Sequence, residues 1–272
     1  MEVGARSEPY RASNVLDTIT RKATREHHDR HLLESERALL AQRVPIASGN
    51  VVSIGCGWNP GRHLFPSPAF RLVGVDSDPA KVAGVMAAGR VDEAHLGTAG
   101  RLELPEHAYD VVLYRLVLHH IAYQGPLEPC FQEAARLLAP GGALVAIEPG
   151  LWHPVGASLA LANRAGVATT IHGTPDDVPL SPRSLIALAR DAGLTPEIYA
   201  LTYTWRRMPP RLQRAVARLD PLGLRQRAAL FGHTLMLIAR RPAAAASEAR
   251  QAGSRAALSR SPSRTLPPPW PS

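Results

Sequence analysis

Four short runs of this chain are apolar along almost their whole length, and they constrain its fold more than any other feature. They are Val51 to Ile54, Leu72 to Val75, Val111 to Tyr114 and the "ALVAIEP" stretch that ends at Pro149. A strand apolar on both faces must be covered on both sides, and sheets covered in that way are parallel sheets flanked by helices. The intervening segments agree. Helical patterns follow Pro79 and run from about Leu127 to Leu138, a short strand is expected near Ala94 to Leu96, and "APGG" is a turn signal closing the second helix. The expectation is an α/β fold with a doubly wound sheet.

Either side of this core the pattern changes. From about Asn14 to Gln42 the chain reads as a helix, with Leu32, Leu33, Leu39 and Leu40 set among charged residues, and it ends before Pro45. Beyond Pro149 comes an irregular insert, about 151–180, bearing Trp152, His153, Pro154, Gly156, His172, Gly173 and Pro175. A helix from Ser181 to Ala192, closed by Gly193, leads to two late strands, Ile198 to Thr204 and Thr234 to Ala239, separated by an arginine-rich stretch. From Pro242 on, Ala, Ser, Arg and Pro without periodicity predict a disordered tail. The organisation expected is an N-terminal helical cap over 1–45, one domain over 46–241 whose insert and cap close as a lid, and a tail over 242–272.

Composition excludes several classes. The two cysteines, Cys56 and Cys130, permit no disulfide framework and no CxxC zinc pattern, which suits a reducing compartment. The N-terminus lacks an apolar signal core, and no stretch approaches the ~18 apolar residues of a membrane span. The reading is a cytoplasmic, soluble chain without membrane insertion. The net charge of +8 suits an anionic partner, but the excess is mostly arginine placed late in the chain and is weak evidence for nucleic acid. In "REHHDRH", His27 and His31 stand one helical turn apart; without further ligands that spacing makes an exposed helix face, and no metal is expected.

The chemistry sits in "VVSIGCGWNPGRH", where the first strand turns sharply through Gly55, Gly57 and Gly61. Backbone amides at such a strand-to-helix turn hold a polar or anionic group that side chains would obstruct. At the end of the next strand, "LVGVDSDP" offers Asp76 to a ribose diol, while Asp78 before Pro79 has the features of a helix cap. Loop and acid together mean an adenosine-type cofactor. A dinucleotide loop usually has its third glycine three residues after the second, where this chain has Pro60, which counts against NAD.

The segments "VVSIGCG", "LVGVDSDP", "LELPEHAYDVVLYRLVLHHI" and "ARLLAPGGALVAIEP", in this order and spacing, resemble the class I S-adenosylmethionine-dependent methyltransferases over roughly Val51 to Arg240. The resemblance implies a seven-stranded, mostly parallel sheet whose last strand, Thr234 to Ala239, is antiparallel. It implies that Gly55 and Gly57 approach the amino-acid end of S-adenosylmethionine, that Asp76 takes the ribose and that the Ala99 amide meets the adenine, with Ser53, Cys56, Ser77 and Thr98 also among the cofactor-binding residues. Two positions depart from the family pattern: Ser53 stands where an acid is common, and Thr98 where an aspartate is frequent.

The activity so implied is methyl transfer to an oxygen, nitrogen or activated carbon of a small metabolite, in specialised metabolism or cell-envelope synthesis. A nucleophile that starts protonated needs a base, and histidine, with an ordinary pKa of about 6.5, is suited to it. His120, just past the fourth strand's carboxyl end, is the first candidate and His153 the second. Arg115 is expected to face the cofactor through its backbone or to orient an anionic substrate, and His119, Glu148 and Trp152 to line the acceptor pocket, the indole stacking on a planar acceptor or shielding the reacting centre. The arginines at 206, 207, 211, 214 and 218 form a solvated basic face that could guide an acidic or carrier-bound substrate. Two rival readings stay open: an enzyme of the same fold that uses the cofactor for another reaction, and a nonenzymatic RNA- or partner-binding protein on a degenerate version of the fold.

Overall fold

The computed structural model describes residues 22–165 and 178–243. The expected helical turns before residue 22, His172, Gly173 and Pro175 of the insert, and the tail from 244 lie outside the described residues. Seven strands form one sheet in the order β3-β2-β1-β4-β5-β7-β6: β1 Gly49–Ile54, β2 Phe70–Asp76, β3 Glu93–Leu96, β4 Tyr109–Arg115, β5 Leu138–Pro149, β6 Thr195–Thr202 and β7 Thr234–Arg240. Strands β1 to β5 pair in parallel, and β7 lies antiparallel between β5 and β6. The doubly wound core is as the sequence pattern led us to expect, and the antiparallel last strand is as the family resemblance implied.

The two-sided apolar character of the strands divides between two cores with the two-residue period of a pleated strand. Val52, Ile54, Val112, Tyr114, Leu144 and Ala146 face one layer, while Val51, Val111, Leu113, Val145 and Ile147 face the other. The first layer is covered by α3 (Leu118–Gln124), α4 (Glu128–Leu137) and α6 (Pro182–Asp191), through Leu118, Phe131, Leu137 and Leu185. The second is covered by α1 (Lys22–Arg43) and α2 (Pro79–Ala87), through Leu32, Leu39, Leu40 and Val85. Burying each leucine of α1 contributes about 1.5–3 kcal/mol, so the helix is held by its apolar stripe.

Local chemistry sets most helix ends. Asp78 caps α2, its carboxylate accepting from the Ala80 amide at 2.9 Å, with Pro79 as the first helical residue. Ser181 caps α6, and Gly193 beyond its end has φ +79°. Two expectations need correction. "APGG" does not separate α4 from the next strand: β5 already starts at Leu138, and a bulge takes up the turn, because Leu138 pairs with Tyr109 while Ala143 pairs with Val111. The insert is also less irregular than expected, since Pro154–Arg164 forms α5. Gly156 within it is no breaker; a Cβ there would lie 2.1 Å from the Gly150 carbonyl oxygen, so close backbone packing demands glycine.

After β6, α7 (Pro210–Ala217) packs on α1, and a 3₁₀ turn (Asp220–Leu224) with α8 (Gln226–Ala229) covers the sheet's outer edge. Gly223 sits so close to β6 that a Cβ would be 2.4 Å from the Ala200 carbonyl oxygen. Covering an edge strand in this way removes a template for unwanted pairing.

Candidate active site

Between β1 and β4 the strand order reverses, and ligands of open α/β sheets bind at the carboxyl edge there. A cleft of about 710 Å³ occupies this place, lined by Gly55, Gly57, Asp76, Ser77, Thr98, Ala99 and His120 among the expected site residues. Trp58, Lys81, Leu116, Val117 and Ile121 complete the walls used below.

The glycine loop is shaped by two different needs. Gly55 has φ +63°, and a Cβ on it would fall 2.2 Å from Val117 Cγ2; Gly57 has φ +50° and nothing within 4 Å of its Cβ direction. The first glycine lets the loop close on Val117 at the start of α3, and the second leaves open space in the cleft. Asp76 ties this loop to β2. Its Oδ2 accepts from the Gly57 amide at 2.8 Å and its Oδ1 from the Asp78 amide at 3.0 Å. An ionised carboxylate offers about four lone-pair sites, so two such bonds leave acceptor capacity for a diol. Lys81 Nζ stands 3.8 Å from Oδ1, a cationic neighbour that sequence reading passed over although Lys81 lies three residues after the Asp78 cap. Trp58, also unforeseen, packs its indole so tightly over α2 that a Cβ on Gly84 would meet it at 2.2 Å.

At the end of β4 the expectations fare unevenly. Arg115 does not line the cleft: its guanidinium makes a two-pronged pair with Glu36 of α1, at 3.0 and 3.1 Å, and His63 Nε2 lies 3.2 Å from the same carboxylate. Leu116 follows with φ +55°, a left-handed conformation that turns the chain toward the cleft. Glu148, fully buried at the end of β5, accepts from the amides of Val117 at 3.0 Å and Leu118 at 2.8 Å and from His119 Nδ1 at 2.6 Å. It therefore acts as a remote carboxylate cap for α3, and His119 is its partner, so neither wall of the acceptor pocket assigned to these two side chains is formed by them. His120, next along α3, does line the cleft.

The other expected residues are placed elsewhere. Ser53 is buried within β1, level with Gly74 and Leu113 on the neighbouring strands. Cys56 donates its amide to the Val75 carbonyl at 2.9 Å, and its thiol packs behind Gly74, where burial pushes its pKa up to about 12. Burial likewise lifts Cys130 to about 11, so neither thiol is a nucleophile at neutral pH. His153 caps α5: Nδ1 accepts from the Val155 amide and Nε2 donates to the Tyr203 carbonyl, each at 3.2 Å. Both nitrogens are engaged with backbone and burial lowers the pKa, which leaves this ring no site for a substrate proton. Trp152 lies against Phe231, with the Arg183 guanidinium 4.8 Å from its ring centre, away from the cleft lining.

His31 of the basic histidine-rich stretch bonds to Asp220 at 2.7 Å. Among the described residues no three His, Cys, Asp or Glu side chains gather in a way that could hold a metal ion. Nor is any described helix long and apolar enough to cross a membrane.

The donor set fits an adenosyl amino acid: an acid at the ribose position with acceptor capacity remaining, a glycine whose Cβ would project into the cleft, and the Thr98–Ala99 turn beside them. Comparison with known proteins agrees. Residues 52–146 match the family model described as a methyltransferase domain. A Mycolicibacterium smegmatis protein described as a probable S-adenosylmethionine-dependent methyltransferase is 37% identical over 105 residues, which span 38% of this chain and 39% of that relative. The fold is shared with a Thermotoga maritima S-adenosylmethionine-dependent methyltransferase, at 16% identity and TM-score 0.54, covering 79% of this chain and 95% of that one. It is shared too with Haemonchus contortus phosphoethanolamine N-methyltransferase 2, solved with S-adenosyl-L-methionine, at 16% identity and TM-score 0.53, covering 77% of this chain and 52% of that one.

Proposed function

We propose that this chain belongs to the class I S-adenosylmethionine-dependent methyltransferases and moves a methyl group onto an oxygen, nitrogen or activated carbon of a small metabolite. The observation that carries the reading is the Asp76 carboxylate held at the mouth of the cleft by the Gly57 amide, with Gly57 itself leaving space beside it. When bound, S-adenosylmethionine supplies an electrophilic methyl group, so the chain's own work is orientation and exclusion of water. Asp76 accepts the ribose hydroxyls, the Gly55–Gly57 turn admits the amino-acid end, and Thr98 and Ala99 face the adenine. Leu116, Val117 and Ile121 supply apolar wall on the side of the fourth strand. His120 is the one expected base that lines the cleft, and it serves either to accept a proton or to position the acceptor.

The test is incubation with methyl-labelled S-adenosylmethionine and a panel of small acceptors. Label in the product supports methyl transfer; consumption of the cofactor with unlabelled product supports the rival reaction that keeps the cofactor and uses it otherwise.

A further inference from the structure

Residues 205–231, which link β6 to β7, carry seven arginines and a single acid, Asp220. That acid is spent inward, on His31 at 2.7 Å, the Tyr203 amide at 2.9 Å and the Thr202 hydroxyl at 3.1 Å. The outer face of the segment is therefore cationic. It is also apolar. Leu212, Leu219, Leu222, Leu224 and Phe231 are all exposed, between 40% and 54%.

The two characters are interleaved. On α7 and its continuation, Arg211, Arg214 and Arg218 repeat at i, i+3 and i+7, and Leu212, Ala215 and Leu219 repeat at the same spacing one residue later. Successive helical positions differ by about 100°, so the stripes run side by side, and all six residues are exposed. The opposite face holds Gln213, buried, donating from Nε2 to the Met208 carbonyl at 3.1 Å and reaching the Thr24 carbonyl of α1 at 3.4 Å. The helix is thus seated by its polar inner face and shows arginine and leucine outward, the reverse of an ordinary surface helix.

We propose that this face docks the protein on an anionic phospholipid surface, the arginines meeting headgroup phosphates and the leucines reaching the acyl boundary. A protein interface keeps charge out of its centre and at its rim, whereas here Leu212, Leu219 and Leu224 each adjoin an arginine directly along the chain. A nucleic-acid interface is polar, and four aliphatic tips would have nothing to bury against. The chain's own residues 244–272 carry four arginines and one glutamate, so their charge does not complement this face. Peripheral docking of this kind needs apolar contact and charge together.

The test is sedimentation of the full chain with vesicles of equimolar phosphatidylglycerol and phosphatidylcholine, against vesicles of phosphatidylcholine alone. Binding to the anionic vesicles, at least about tenfold weaker on the neutral ones, is expected. The double variant Leu212→Ser/Leu219→Ser is expected to lose about tenfold in vesicle affinity while keeping its thermal midpoint and its affinity for S-adenosylmethionine. Failure to sediment with anionic vesicles overturns the proposal. So does unchanged binding of the serine variant, which would reduce the attraction to charge alone, or displacement of the vesicles by RNA at equal phosphate concentration.

Discussion

Glu36, wholly buried on the first helix, holds Arg115 at the end of the fourth strand by two parallel hydrogen bonds of 3.0 and 3.1 Å. This fork joins residues 79 positions apart and fixes the N-terminal helix against the strand end that turns, at Leu116, into the wall of the cleft. Two-pronged pairs of this kind are the strong ones, and removing one partner leaves the other charge buried.

Glu36→Ala is therefore expected to destabilise the fold by about 3 kcal/mol, measured by urea unfolding, whereas Glu36→Leu combined with Arg115→Met should recover most of that loss. Equal losses for the single and double variants would show that the pair itself, rather than the stranded charge, is what matters.

The two loop glycines should separate structure from binding. Gly55→Ala meets Val117 and is expected to lower the thermal midpoint strongly, while Gly57→Ala meets only the strain of its positive φ, about 1–2 kcal/mol, and stays folded. Its methyl group projects into the cleft, so calorimetry should show the loss in affinity for S-adenosylmethionine. Normal affinity in Gly57→Ala would take the loop away from the cofactor.

Asp76→Ala removes the acceptor of the Gly57 amide and the proposed ribose contact together. Affinity for S-adenosylmethionine should fall about 10²-fold, as two hydrogen bonds to a charged group are lost. Circular dichroism should show the helices and sheet retained.

For His120→Ala, turnover should drop by about 10²-fold or more with the dissociation constant for S-adenosylmethionine little changed, if the ring moves a proton. A change confined to KM for the acceptor would make it a positioning residue instead.

The His31 bond to Asp220 raises the histidine pKa above its ordinary value. Protonation is thus favoured by folding. The stability that His31 adds, taken as wild type minus His31→Gln, should be fully present below about pH 6.5 and fade as pH rises through the raised pKa. His28 gives the opposite sign, because burial lowers its pKa, with the Thr204 carbonyl offsetting part of that. Its contribution should hold above about pH 6.5 and be lost as pH falls through the lowered pKa. Thermal midpoints of the two variants across pH 5 to 8 should diverge in these directions; parallel curves would contradict both.

Sequence alone determined the features whose causes are local. Apolar runs on four strands, an Asp-Pro pair with the features of a helix start, and glycines at a sharp turn are all written within a few neighbouring positions. They were enough to place the parallel core of the sheet, the glycine loop and Asp76, while the antiparallel last strand followed only from the family resemblance. Tertiary structure decided which polar side chains face the cleft and which face each other. Arg115, His119, Glu148 and His153 all stand near the carboxyl edge, where sequence reading put them, yet partners 79, 29, 29 and 50 residues away claim them. Burial makes an unpaired polar group costly, so such groups take whatever partner the folded path brings within reach, and that path is not encoded in local spacing.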